Sequence, residues 1–161
     1  MFNYMDIIEF HGKDILDNDN FKSEKRFIQH GDVSVYEHSI NVCVFCLKIA
    51  RLIGLPIDIR SLVRGSLLHD YFLYDWHDTD KSHRLHGFTH ASRALKNALS
   101  DYELNDIEKN MIFCHMFPLN FRIPKYRESV ILCIADKVVA TLETISPYVS
   151  ILASCNEYVG W

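Results

Sequence analysis

The chain has 161 residues, 48 % hydrophobic and 24 % charged, with a formal net charge of -4. These values suit one globular domain with a normal core and exclude a largely disordered chain. Lacking a cluster of Lys and Arg, the chain is not expected to bind duplex nucleic acid, and no apolar run approaches the roughly 20 residues of a membrane span.

The start, Met1 to Asp6, has neither the basic nor the apolar region of a signal peptide, so a cytoplasmic location is the expectation. Cys43, Cys46, Cys114 and Cys133 sit inside apolar helical patterns and read as reduced core residues. Histidine is the compositional oddity: seven of the nine fall between His38 and His115 inclusive.

In chain order, residues 1–18 suit one or two short helices, Asn18-Asp19-Asn20 is a break, and residues 21–29 suit another short helix ended by His30-Gly31-Asp32. Ser34-x-x-Glu37 has the form of a capping box. The helix it starts carries Val35, His38, Val42, Phe45 and Ile49 on one apolar stripe and stops at Gly54. Asp58 can cap a second helix running to about Phe72, which ends on Leu67-Leu68-His69-Asp70.

Residues 74–88 are aromatic, acidic and histidine-rich without a stable period, and are expected to form a loop. Thr89 can cap a helix from Ala91 to Leu99, with His90 at its first turn. Asn105-x-x-Glu108 repeats the capping-box form and starts a helix containing Met111 and His115, ended by Pro118. The most apolar helix runs from about Arg127 to Thr144 and sets Asp136 within the stripe of Leu132, Cys133 and Val139. Ser146-Pro147 opens a last helix. No run alternates with period two, so the fold class is all-α: a single-domain helical bundle, with a core over about 30–145 and terminal helices packed on it.

Two carboxylates in apolar surroundings, Asp70 and Asp136, are costly unless paired or bound to a metal. With His38 and His69 they compose a mononuclear site drawn from three helices, and His90 and His115 offer a second cation a place, with Asp70 as the bridge. Histidine nitrogen with carboxylate oxygen suits zinc, iron, manganese, nickel or cobalt, without choosing among them. A bound cation would lower the pKa of its water and supply hydroxide as nucleophile.

The order His38, His69-Asp70, Asp136 on successive helices resembles the HD-domain superfamily of metal-dependent phosphohydrolases. Glu37-His38-Ser39, Leu67-Leu68-His69-Asp70 and Ile134-Ala135-Asp136-Lys137 look like that family's motif surroundings. The resemblance implies that these four positions bind metal, and that His90 and His115 match the extra histidines of its dinuclear members. His86 competes with His90, which is preferred because a helix start fixes its direction.

Two departures bear on the substrate. Cyclic-dinucleotide phosphodiesterases of the superfamily usually continue the His-Asp pair with Ile-Gly-Lys, where this chain has Tyr71-Phe72-Leu73. Deoxynucleotide phosphatases usually carry Glu three residues after the pair, where Leu73 stands. Candidates for touching phosphate are Lys137, Arg64, Lys81 and Arg84, whereas Asp75 or His86 would protonate a leaving group. His30, just outside the helix of His38, reads as a surface residue, with a role at the site as the alternative.

The expected activity is therefore hydrolysis of a small phosphate ester or phosphodiester, with Asp70 and Lys137 in the catalytic set. Tyr71, Phe72, Tyr74, Trp76 and Phe88 would cover an aromatic or nucleotide-like ligand, or else pack on the core. A di-iron oxygenase and a non-catalytic metal-containing regulatory module are the alternatives.

Overall fold

A computed structural model describes residues 3–75 and 86–145, the side chain of His86 excepted. Helix α1 (Tyr4–Leu16) starts at Asn3, whose side chain accepts from the Met5 amide. At α2 (Asp19–Ser23), Asn18 accepts from the amides of Asn20 and Phe21, so the expected break is a helix cap.

Of the helix expected over residues 21–29, only residues 21–23 are α-helical, as the end of α2. A 3₁₀ turn (Glu24–Arg26) leads into strand β1 (Ile28–His30), which pairs antiparallel with β2 (Val33–Ser34). Strands of three and two residues are too short for alternation to show in the sequence. Gly31 makes the turn at a φ of 57°, where a side chain would be strained.

Helix α3 (Val35–Ile53) opens with the Ser34/Glu37 capping box and closes on Gly54 in the left-handed conformation, both as predicted. Asp58 caps α4 (Ile59–Leu68) by accepting from the Ser61 amide. This helix stops before His69, one turn sooner than the sequence suggests, and Phe72 N donates to Asp70 O at 2.7 Å in the turn that follows. Helix α5 (His86–Asp101) begins earlier than expected, so Thr89 and His90 lie inside it rather than at its start. Asn105 and Glu108 form the second capping box, opening α6 (Asp106–Cys114), and α7 (Arg127–Ile145) matches the long apolar stripe. The last helix expected after Ser146 lies outside the described residues.

Helix α3 packs against α4 and α7, and α6 packs against α4, α5 and α7. The core between them includes Ile8, Val42, Leu47, Leu62, Leu67, Met111, Leu132 and Val139. Full burial of each such side chain contributes about 1.5–3 kcal/mol. Where α4 crosses α6, a Cβ at Gly65 would stand 3.0 Å from Met111 Cβ. That close approach brings the end of α4, with His69, beside the end of α6, with His115. The four described cysteines are buried and unbonded, as the sequence implies.

Candidate metal centre

Six side chains from five places in the fold meet between the helices. His38 comes from α3, His69 and Asp70 from the turn after α4, His90 from α5, His115 from the end of α6, and Asp136 from α7. All six are buried.

They form two adjoining groups, His38 with His69 and Asp136, and Asp70 with His90 and His115, each with ligand atoms close enough to share one ion. In the first, Asp136 Oδ1 lies 3.2 Å from His38 Nε2 and 3.7 Å from His69 Nε2. Asp70 stands between the groups. Its Oδ2 is 3.4 Å from His69 Nε2 and 3.8 Å from His38 Nε2, while its Oδ1 is 3.3 Å from His90 Nε2 and 3.4 Å from His115 Nε2.

The outward-facing nitrogens of three of the rings are held. His38 Nδ1 donates to Glu143 Oε2 at 2.7 Å, His69 Nδ1 to the Ser66 carbonyl at 2.7 Å, and His115 Nδ1 to the Ile112 carbonyl at 2.8 Å. A carbonyl or carboxylate only accepts, so each of these Nδ1 atoms carries the proton and each Nε2 is turned inward as a potential ligand. Glu143 is itself fixed by Asn41, which donates to it at 2.9 Å.

The electrostatics of the cluster set burial against the mutual attraction of imidazoles and carboxylates. Burial pushes the His38 imidazolium down, but hydrogen bonds to Asp136 and Glu143 outweigh it and raise the pKa to about 10. His69 is likewise raised, Asp70 and Asp136 overcoming its burial. Burial alone would raise Asp70 and Asp136, yet the surrounding imidazoles hold Asp70 well below the usual carboxylate range and lower Asp136 as well. Two observations show that a cation fits. His90 Nε2 and His115 Nε2 stand only 2.8 Å apart, and among the described residues neither Asp70 Oδ1 nor His69 Nε2 has a hydrogen-bond partner despite full burial. Metals of the expected kind bind such atoms at about 2.0–2.2 Å, which suits donors spaced as these are.

The remaining candidates fare differently. Arg64 is not a surface charge: it is buried, binds Asp14 at 2.7 Å and pairs with Glu108 at 3.1 Å, joining α1, α4 and α6. Its acidic partners are distant in sequence, so no local pattern marks this pairing. Lys137 Nζ donates to the carbonyls of His115 and Cys133 at 3.0 and 3.1 Å, fastening the end of α6 to α7. His30 is no plain surface residue, since its ring meets that of His38 at 5.3 Å, and burial followed by the His38 charge lowers its pKa.

Asp75 is half-buried. Lys81 and Arg84 lie outside the described residues, as does the His86 side chain, although His86 itself begins α5, so a helical position no longer separates it from His90. Tyr71 belongs to the core and its hydroxyl donates to Asp101 at 2.6 Å, so it does not cover a ligand. Phe72 instead packs edge-on to His90, with ring centroids 6.0 Å apart.

Sequence reasoning missed Glu143 and Gln29. Glu143 follows Asp136 by seven residues on the same helix, a periodic signal that was available. Gln29, whose Nε2 donates to Asp70 Oδ2 at 2.5 Å, gave no signal, because its approach depends on the unexpected hairpin.

A helical protein whose histidines and aspartates converge in this order has the construction of a buried metal centre. The chain belongs to the HD domain family, whose model matches residues 35–141, and members of that family are generally metal-dependent hydrolases. No curated protein and no solved structure matches the chain. Among the described residues, no helix is long and apolar enough to cross a membrane.

Proposed function

We propose that the protein is a metal-dependent hydrolase of a small phosphate ester or phosphodiester, acting through two divalent transition-metal ions. His38, His69 and Asp136 would hold one ion, His90 and His115 the other, with Asp70 shared. The observation that carries this reading is the division of Asp70, one oxygen toward each group of histidines. Bound there, the ions would supply Lewis acidity toward phosphoryl oxygens and a water acidified to near neutral pH.

The chain's own groups supply the rest. Glu143 keeps the His38 Nδ1 proton in place and so presents Nε2 to the site. Lys137 uses two of its three N–H donors on backbone carbonyls and keeps one for a substrate oxygen. His30, its pKa lowered by burial and half-buried beside His38, accepts or passes a proton at the edge of the site. Asp75, five residues after Asp70, is the proposed donor to a leaving alkoxide. Reduced buried cysteines agree with a cytoplasmic setting.

The test is release of the alcohol leaving group from a panel of phosphomonoesters and phosphodiesters, using metal-loaded wild type and His115→Ala. Hydrolysis by the wild type and its loss in the variant are expected. A loaded, folded protein inactive on the whole panel would overturn the proposal, and dioxygen uptake by an iron-loaded form would replace hydrolysis with oxygenase chemistry.

A further inference from the structure

The hairpin lies outside the span that matches the family, yet it reaches the centre. Gln29, on β1, is almost fully buried, and its side chain crosses to Asp70. The partner atom is a carboxylate oxygen, which only accepts, so the amide's NH₂ end must face it.

The backbone around Gln29 is pinned on both sides. Val35 N donates to the Phe27 carbonyl at 2.8 Å, tying the strand to the start of α3. At Gly31 the turn passes so close to α7 that an added Cβ would stand 3.2 Å from the Glu143 carbonyl. The amide is thus delivered from a fixed support.

We infer that Gln29 is a positioning residue that sets the rotation of Asp70, and thereby builds the half of the centre formed by His90 and His115. The inference rests on the two-ion reading and deepens it. The amide occupies one lone pair of Oδ2, on the side of Asp70 that faces His69 and His38. With Oδ2 held, Oδ1 is presented between His90 Nε2 and His115 Nε2.

The two halves depend on this bond unequally. The first has three ligands of its own, His38, His69 and Asp136, and tolerates a rotated Asp70. The second consists of Asp70, His90 and His115, so a turned carboxylate leaves it two imidazoles. Gln29 therefore governs occupancy of the second position and leaves the first nearly untouched.

The experiment is a zinc titration against a competing chelator, with wild type, Gln29→Leu and Gln29→Met, each checked for fold by thermal unfolding without metal. Two equivalents are expected for wild type. Both variants should keep the tighter equivalent unchanged and bind the weaker one about 10–100-fold less well. Loading with manganese gives a second readout: the signature of two magnetically coupled ions should fade in the variants while that of a single ion persists.

Equal weakening of both equivalents would assign Gln29 to general support of the fold and overturn the inference. So would wild-type binding in both variants, or failure of both to fold. A wild type that binds only one equivalent would refute the two-ion reading itself.

Discussion

Glu143 offers the sharpest perturbation of the centre from outside it. Its carboxylate is fully buried and accepts from His38 Nδ1 at 2.7 Å and Asn41 Nδ2 at 2.9 Å. Glu143→Gln preserves shape and leaves an oxygen to accept from His38. The new NH₂ end would meet Asn41, whose Oδ1 has no partner among the described residues, so a flip of the Asn41 amide restores that bond as well. What disappears is the negative charge behind the imidazole, which makes His38 a weaker ligand.

Loss of such a supporting group costs about 10–100-fold in metal affinity, or about 1.4–2.7 kcal/mol. Glu143→Ala removes the acceptor too, and breaking a buried charged pair in this way should destabilise the metal-free protein by about 3–5 kcal/mol. Competition with a chelator of known affinity measures the first effect, and urea unfolding the second. Unchanged metal affinity in folded Glu143→Gln would refute the argument that Glu143 tunes His38.

Three further perturbations test other links. In the metal-free protein the raised pKa of His38 contributes stability that is fully present below pH 6.5 and is lost as pH rises through about 10. Metal binding needs the neutral ring, so the gap in unfolding temperature between loaded and metal-free protein should widen from pH 6 toward pH 9; a constant gap would contradict this. Arg64→Met should cost about 3 kcal/mol by leaving buried Glu108 uncompensated, while the exposed Asp14 partner adds little, and metal stoichiometry should not change. Gly65→Ala should destabilise by about 1–3 kcal/mol in thermal or urea unfolding, because the methyl group enters the contact with Met111.

Most of the helical scaffold was legible because its signals are local. Ser34/Glu37 and Asn105/Glu108 announce helix starts within four residues, and Gly54 announces an end. The six clustered residues were legible because inward-facing positions repeat along helices that must pack together.

Features that depend on contacts between distant segments were not legible. Arg64 became structural only once α1 delivered Asp14 and α6 delivered Glu108. The hairpin is held by α3 and α7 rather than by its own propensity, so its strands leave no mark in the local pattern. Helix α4 ends at Leu68 although the helical periodicity continues beyond it.

Elemental analysis of untagged protein purified without chelator addresses the central claim most directly. For wild type the account predicts about two equivalents of transition metal, falling to about one in His115→Ala. One equivalent in both proteins would contradict the shared role of Asp70, and no bound metal in either would contradict the centre altogether.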